Sequence, residues 1–302
     1  MALDILHGLL TVGLLVVVVV LARESRLLAR RRREHARRLE TLERAHLESH
    51  RRRVLADARA RLAGAGREPR LALACRAQGP EDCYLWELLG GRLDGRFIEA
   101  GAADGVRNSV TWLLEAAGWT GVLVEADPET AAQCARNRPH SHVAQAALGP
   151  PDGPARVKFT RVLGQEDADH LSYAPELARV RSAYAEKAKR TEQIEVPLRT
   201  LTDVLSEAGG DGAYDVAVID VEGAELALLE GFDMARFPTA VLLVEDLTGG
   251  ADTDVQRLAE GAGYARAGRV ERNTVYIRRD RPDLLARAAE MGWWPSEDRP
   301  GR

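Results

Sequence analysis

The chain has 302 residues, 45% of them hydrophobic, and a net charge of −4. This length and composition fit one full-sized α/β domain with appendages. The charge is uneven, because residues 23–70 contain 16 basic and 7 acidic side chains, which leaves residues 71–302 acidic. An acidic body lacks the basic surface that phosphates need, so nucleic acid is excluded as the main partner. Three cysteines without a CxxC pair exclude a disulfide framework and a zinc site.

The N-terminus contains an apolar run without a charge from residue 5 to residue 22. At about 1.5 Å per residue, such a helix is just long enough to cross a bilayer core. Asp4 precedes the run and a cluster of arginines follows it, which places the rest of the chain in the cytoplasm. A cleaved signal peptide would need a positive N-terminal region and a small-x-small cleavage site, and neither is present. We therefore predict a single-pass membrane anchor over residues 1–22 with a cytoplasmic C-terminal domain.

Residues 23–70 are predicted to form a basic helical stalk and linker. The part from residue 23 to residue 62 has no Gly or Pro and is rich in helix-forming residues, and Gly64, Gly66 and Pro69 end the helix. Its leucines lie loosely on heptad spacings, which leaves a homodimer through the stalk as an alternative to a lipid-contacting spacer.

After residue 70 the pattern changes to short apolar runs that alternate with amphipathic stretches, which is typical of βαβ units. The expected fold is an α/β, Rossmann-like, mostly parallel sheet with helices on both faces, in a domain over 71–302 with its core at 95–280. Strands are predicted at 96–100, 121–125, 143–146, 214–220, 240–245 and 274–278, the last as an antiparallel edge strand. Helices are predicted at 109–117, 128–137, 254–262 and from residue 224.

Three of the predicted strands end in an acid: Glu125, Asp220 and Glu245. Ligands of open α/β sheets bind outside the carboxyl ends of the strands. Three acids delivered to one rim by three strands therefore indicate a binding site.

The first strand runs into a glycine turn with the pattern Glu99-x-Gly101-x-x-x-Gly105. Gly101 allows a sharp bend, and Gly105 is expected to let the backbone approach a cofactor. Glu125, at the end of the next strand, is placed to accept the ribose hydroxyls of an adenosine. GxGxxG is missing, which argues against an NAD-dependent oxidoreductase. Acids in the turn would repel a pyrophosphate but suit the cationic S-adenosylmethionine.

Several segments resemble the FkbM family of S-adenosylmethionine-dependent methyltransferases. They are Phe97–Gly105 with Asn108-Ser109, then Gly118–Pro128, Val196–Leu205, and Ile219–Glu225 with Leu229-Glu230-Gly231, which is similar to the family's DxEGxE…LxG stretch. The resemblance spans residues 96–280. The membrane-anchored layout is also similar to that of the animal Star proteins, which carry a related domain and are not established as enzymes.

The resemblance implies a class I methyltransferase fold with S-adenosylmethionine as cofactor. The residues it implies at the cofactor are Glu99, Gly101, Asp104, Gly105, Asn108, Glu125, Ala126, Asp127, Ala147 and Leu148. Asp220 is implied where the sulfonium faces the acceptor, and Asp220 or Glu222 could take the proton of a hydroxyl acceptor. Glu225 is expected to stabilise a helix N-terminus instead.

Two further catalytic roles are considered, a Mg²⁺ site and a histidine base. Asp220, Glu245 and Asp246 could bind Mg²⁺ through oxygen ligands, but the family pattern does not require it and no metal site is expected. His170 is a candidate base in a segment, 165–190, that is expected to cover the acceptor pocket with Tyr173 and Tyr184. Trp293-Trp294 are expected to pack on the domain.

The expected function is O-methylation of a hydroxyl on a sugar, glycan or other small molecule at the cytoplasmic face of the membrane. The alternative is a catalytically inactive, membrane-tethered Rossmann module for binding or trafficking. The intact Glu99, Gly101, Gly105, Glu125 and Asp220 favour the enzyme, because a decayed site would have lost at least one of them.

Overall fold

The structure, a computed structural model, describes residues 2–163, 172–179, 190–209, 212–251 and 253–291. The chain divides into two compact units, Met1–His50 and Arg51–Arg302. One long helix, α1 (Ala2–Gly64), accounts for the first unit and continues into the second. The side chains of the predicted anchor, residues 5–22, lie outside the described part of the chain. Among the residues that are described, no helix is long and apolar enough to cross a membrane.

The last turns of α1 belong to the second unit. Val54, Ala58 and Leu62 are buried there, and they recur every four residues, the spacing that places side chains on one face of a helix. The helix ends at Gly64, where the glycines predict its end. The compact unit thus begins at Arg51, whereas the sequence places the domain boundary at residue 71.

The second unit contains two sheets and seven further helices among the described residues. The helices are α2 (Glu81–Leu88), α3 (Trp112–Ala117), α4 (Pro128–Asn137), α5 (Leu201–Glu207), α6 (Glu225–Glu230), α7 (Thr253–Gly261) and α8 (Pro282–Met291). The strands are β1 (Arg96–Ala100), β2 (Thr120–Glu125), β3 (His142–Gln145), β4 (Ala147–Leu148), β5 (Arg156–Val162), β6 (Thr191–Arg199), β7 (Tyr214–Ile219), β8 (Thr239–Glu245), β9 (Tyr264–Val270) and β10 (Asn273–Arg278).

The large sheet has seven strands in the order β3-β2-β1-β7-β8-β10-β9. Its strands are parallel except for β10, which runs antiparallel to both of its neighbours. Successive residues of a strand point to opposite faces, so Phe97 joins one core cluster and Ile98 the other. Helices α2, α3 and α8 contribute to the first cluster and α5, α6 and α7 to the second. The predicted Rossmann-like sheet with helices on both faces is confirmed.

The topology locates the binding crevice. In the large sheet, the chain adds β2 and then β3 on one side of β1. The next two strands of this sheet along the chain, β7 and β8, lie on the other side of β1. Ligands of open α/β sheets bind at such a reversal, outside the carboxyl ends of the strands. Here that position is the space beyond Ala100 and Ile219, the last residues of β1 and β7.

Two predicted elements are placed differently. Residues 274–278 are predicted as an edge strand, but β10 pairs on both sides and the edge strand is β9. Its sequence, YARAGRV, has only scattered apolar residues, which hides it from a hydrophobic-pattern search. The helix predicted from residue 109 begins at Trp112, because Ser109, Val110 and Thr111 bind a buried acid instead of forming a helical turn.

A second sheet of three strands, in the order β4-β6-β5, is absent from the predictions. Strands β5 and β6 pair antiparallel along seven residues each, and β4 joins β6 in parallel. Most side chains of β6 are exposed or half-buried, so the strand carries little apolar periodicity. The sheet has its own small core, which includes Ala147, Val157 and Phe159.

Candidate active site

The glycine turn is held between β2 and β7. The backbone N–H groups of Gly101 and Ala102 both donate to the carbonyl oxygen of Val124, at 2.9 and 3.1 Å. Gly101 has a φ of +81°, and a Cβ at this position would lie 1.7 Å from the carbonyl oxygen of Asp220. Only glycine fits there, since any side chain would force β1 and β7 apart. The turn and Asp220 are therefore in direct backbone contact.

Glu125 lies at the end of β2, beside this turn. Its carboxylate accepts hydrogen bonds from the backbone N–H of Ala103, at 2.9 Å, and of Asp127, at 2.8 Å. Burial raises the pKa of Glu125 to about 7, although these two N–H groups act in the opposite direction. A carboxylate oxygen has two lone pairs, so each oxygen keeps one for a ligand hydroxyl. The structure thus leaves Glu125 suited to the ribose contact that the sequence predicts.

Asp127 is the N-cap residue of α4. It accepts hydrogen bonds from the backbone N–H groups of Glu129 and Thr130 at 2.9 and 3.0 Å, and it forms an ion pair with Arg161 of β5. Its carboxylate is thus engaged within the protein.

The apolar residues that the resemblance implies at the cofactor lie directly after β2 and in β4. Ala126 packs on the small core that contains Ala147, and the backbone N–H of Ala146 donates to the carbonyl oxygen of Glu125 at 3.0 Å. Leu148 is buried in the core of the large sheet. Ala126 and Ala147 thus share one small apolar cluster near the end of β2.

Glu99 binds protein groups. Its carboxylate accepts hydrogen bonds from the hydroxyls of Ser109 (2.9 Å) and Thr111 (2.5 Å) and from the backbone N–H of Val110 (2.9 Å). It also lies 3.4 Å from the guanidinium of Arg138, a residue with no exposed surface. The cofactor contact that the resemblance implies for Glu99 remains a prediction, and the hydrogen bonds in the structure give this residue a structural role.

Arg138 also binds a second buried acid, Glu115 of α3, at 2.8 Å. Its Nη1 donates to the carbonyl oxygen of Gly105 at 3.0 Å and to the hydroxyl of Ser109. Its Nη2 donates to the hydroxyl of Thr111. We call Glu99, Glu115 and Arg138, with Ser109 and Thr111, the arginine network. It fixes the segment that follows the glycine turn.

The remaining turn residues shape the loop. A Cβ on Gly105 would lie 2.7 Å from Cγ of Arg138 and 2.8 Å from Sγ of Cys134, so glycine is required for packing on α4. The sequence predicts that Gly105 lets the backbone approach a cofactor, whereas in the structure glycine is needed at this position for packing on α4. Asp104 accepts hydrogen bonds from two following backbone N–H groups, and Asn108 has a φ of +58°.

Asp220, Glu222 and Glu245 form an acidic cluster at the carboxyl ends of β7 and β8. One carboxylate oxygen of each lies within 4.8 Å of the others. Glu222 and Glu245 are each 8% exposed, whereas Asp220 is exposed. Burial, followed by the neighbouring negative charges, raises the pKa of both Glu222 and Glu245 well above the usual range. In the described part of the chain, the Oε2 atoms of both glutamates have no hydrogen-bond partner.

The two neighbouring acids have local partners. Glu225, the first residue of α6, accepts hydrogen bonds from the backbone N–H of Val221 (3.1 Å) and of Gly223 (3.0 Å), as expected for an acid at a helix N-terminus. Asp246, weighed as a Mg²⁺ ligand, accepts from the backbone and hydroxyl of Thr248. Glu222 occupies the place in the cluster that the sequence suggested for Asp246. Its backbone has a φ of +54°, which turns the loop at that residue.

Sequence reasoning missed Arg138, Glu115 and Arg161. The available signal was Glu115, an acid inside the apolar stretch Leu113–Ala117, since a buried charge requires a partner. Of the residues expected to cover the acceptor, Tyr173 forms a bridge with Thr160. His170, Tyr184 and Trp293-Trp294 lie outside the described residues.

The doubly wound sheet, the glycine turn at its reversal and the acid at the end of β2 define a Rossmann-like cofactor-binding protein. The family model of the methyltransferase FkbM domain matches residues 99–257, more than half of the chain. The chain therefore belongs to the FkbM methyltransferase family, which confirms the resemblance seen in the sequence and, with it, S-adenosylmethionine as the cofactor. No curated protein matches the chain in sequence.

Solved structures give distant matches. A TehB-like SAM-dependent methyltransferase from Corynebacterium glutamicum is 13% identical, with 78% of this chain and 99% of that chain covered and a TM-score of 0.35. An O-methyltransferase from Bacillus cereus in complex with SAH is 12% identical, with 74% and 90% covered and a TM-score of 0.37. A putative O-methyltransferase from Klebsiella pneumoniae is 13% identical, with 79% and 96% covered and the same TM-score. Scores this low do not establish a common fold.

Proposed function

We propose that the protein transfers the methyl group of S-adenosylmethionine to a hydroxyl of a sugar, glycan or other small molecule. The observation that carries this proposal is the contact between the glycine turn and Asp220. This contact places the glycine turn, which lies beside Glu125 and suits the cofactor, next to the acidic cluster. A methyl donor and a proton acceptor would thus meet at the ends of β1 and β7.

The chemistry required of the site is modest. A lone pair of the acceptor oxygen forms the new O–CH₃ bond while the S–CH₃ bond breaks, and that electron pair returns to sulfur as the neutral thioether of S-adenosylhomocysteine. The hydroxyl proton passes to a carboxylate of the cluster, and Asp220 or Glu222 is the proposed base. Much of the acceleration comes from holding the three reacting atoms in line. The raised pKa of Glu222 makes its carboxylate a stronger base when it is ionised, and Asp220 is the exposed member of the cluster that an acceptor can reach.

Calorimetry of the full-length protein with S-adenosylmethionine tests the proposal. Wild type and the Glu290→Gln variant, which changes an exposed acid of α8, are expected to bind equally. Glu125→Gln is expected to weaken binding by about tenfold or more, because an amide replaces one of the two oxygens that accept the ribose hydroxyls. A folded wild-type chain that binds no S-adenosylmethionine would contradict the proposal and favour the inactive binding module, and binding of NAD instead would favour an oxidoreductase.

A second measurement separates binding from transfer. Asp220→Asn is expected to bind the cofactor as wild type does and to lose about 100-fold or more in transfer of a labelled methyl group to a panel of hydroxylated acceptors. Equal transfer by both proteins would remove Asp220 as the base.

We also propose that the protein is attached to the cytoplasmic face of a membrane through residues 5–22. The support is the sequence, in which an uncharged run is followed by the arginines of the stalk. Resistance of the full-length chain to carbonate extraction from membranes is the expected result, and release of the chain would contradict it. A homodimer through the stalk is a further proposal, supported by the exposed Leu28, Leu39 and Leu42 of α1, and cross-linking of the full-length chain tests it.

A further inference from the structure

The acidic cluster has more charge than the chain around it balances. Its three acids come from two strand ends and one loop, and the backbone brings them together in the fold. Within the described residues no salt bridge to Glu222 or Glu245 is formed, and the positive charge of Arg272 opposes the rise in the pKa of Glu222 without cancelling it. Three ionised carboxylates this close repel one another, so the cluster either keeps protons, as the raised pKa values of Glu222 and Glu245 indicate, or binds a cation.

Two buried carboxylate oxygens of the cluster indicate what kind of ligand it binds. The Oε2 atoms of Glu222 and Glu245 are buried and have no donor in the part of the chain that the structure describes. A buried acceptor without a donor costs free energy, and native proteins rarely leave one unexplained. Both atoms belong to side chains that are 8% exposed. The cluster therefore needs a ligand that interacts with oxygen lone pairs.

The spacing of the three acids fits a hard divalent cation. Ca²⁺ binds oxygen at about 2.3–2.6 Å, so two ligands on opposite sides of it are about 4.6–5.2 Å apart. The oxygens of Asp220, Glu222 and Glu245 lie within 4.8 Å of one another, which accommodates an ion of this size. For Mg²⁺, at about 2.0–2.1 Å, two ligands on opposite sides of the ion are about 4.0–4.2 Å apart. A set made only of carboxylates matches cations of this class and not zinc or copper.

We infer that Asp220, Glu222 and Glu245 form a binding site for one divalent cation of the Mg²⁺, Mn²⁺ or Ca²⁺ class. Three protein ligands leave coordination positions open, and Asp220 faces solvent. An acceptor hydroxyl could occupy such a position, where the cation orients it and lowers its pKa. This role in catalysis depends on the proposed methyl transfer, whereas binding of the cation does not.

Titration of the full-length protein with Mn²⁺, followed by electron paramagnetic resonance, tests the site directly. Wild type is expected to bind one Mn²⁺ per chain, with displacement by excess Mg²⁺ or Ca²⁺. Glu222→Gln and Glu245→Gln are each expected to weaken binding by more than about tenfold, since even the loss of an outer-shell partner costs a metal site that much. Glu290→Gln, the exposed control on α8, is expected to bind as wild type does.

The folded state of each variant is checked by circular dichroism. Both Gln variants keep the shape of the side chain and cannot carry the negative charge that burial and the neighbouring acids disfavour, so they are expected to fold. If either one does not, Asp220→Asn at the exposed member supplies the same comparison. Failure of the wild-type chain to bind Mn²⁺, or equal binding by all variants, overturns the inference.

The outcome is independent of the cofactor experiment. A chain that binds S-adenosylmethionine but no Mn²⁺ keeps the proposed function and loses the cation site. A chain that binds Mn²⁺ in the acidic cluster but no S-adenosylmethionine keeps the cation site and loses the proposed function.

Discussion

The protein holds two groups of buried acids that are balanced in different ways. In the arginine network, Glu99 and Glu115 share Arg138, and hydroxyl and backbone donors satisfy their other lone pairs. In the acidic cluster, Glu222 and Glu245 are almost as deeply buried, yet each keeps an oxygen with no partner among the described residues. Burial of an acid therefore does not mark a functional site here. The difference lies in whether the fold supplies the counter-charge itself.

Removal of the built-in counter-charge should have the largest effect. Arg138→Met leaves two buried carboxylates without a cation, and we expect a loss of about 3–5 kcal/mol in the free energy of unfolding. Urea denaturation measures it. The control is Arg136→Met, which changes an exposed arginine in the last turn of α4, two residues before Arg138. It should cost well under 1 kcal/mol, about the size of an ordinary surface substitution. Equal losses in the two variants would show that the arginine network is not what stabilises the segment.

The two groups should lose different amounts of stability on the same isosteric change. Glu115→Gln removes the closest charge partner of Arg138 and should cost about 3 kcal/mol. Glu245→Gln, measured with a chelator present, should cost less than about 1 kcal/mol, since Oε2 has no described partner to lose and repulsion within the cluster falls. Urea denaturation of both variants beside wild type makes the comparison. A large loss in Glu245→Gln would mean that the acidic cluster is already compensated.

Glu125 lies between these extremes, because only backbone N–H groups compensate its burial. Burial raises its pKa from 4.5 to about 7 in the folded protein. Between these two values the unfolded chain ionises while the folded chain keeps its proton, so stability falls as the pH rises from about 4.5 to about 7 and is constant above that. The expected size is up to about 3 kcal/mol, from 1.36 kcal/mol per pKa unit.

The measurement is urea denaturation of wild type and Glu125→Gln from pH 4.5 to pH 8. The variant cannot ionise, so wild type should lose stability relative to it over this range. Glu129→Gln, at a side chain that is 75% exposed, should track wild type at every pH. If the difference between wild type and Glu125→Gln is independent of pH, Glu125 is ionised at neutral pH in the folded protein.

Local signals account for the elements that the sequence predicts well. Helix α4 has the predicted bounds because Asp127 is an N-cap followed by proline at the first helical position. Strands β1, β2, β7 and β8 are apolar runs that end in acids or glycine, so they are recognisable without any partner. The FkbM motifs lie on these same elements, which is why the family and its cofactor could be identified from the sequence. Strand β9 and the small sheet carry no such pattern, and only pairing with other strands defines them.

The sequence by itself determined the doubly wound sheet, the glycine turn at its reversal and the delivery of Glu125, Asp220 and Glu245 to one rim. It could do so because local sequence marks the ends of strands, and the alternation of strands with helices predicts a parallel sheet. Only the tertiary structure decided which acids are paired. Arg138 meets Glu99 and Glu115 across 39 and 23 residues of chain, and the loop after β7 turns Glu222, not Asp246, towards Glu245. Charge balance depends on distances between segments that are remote in the sequence, and folding fixes those distances.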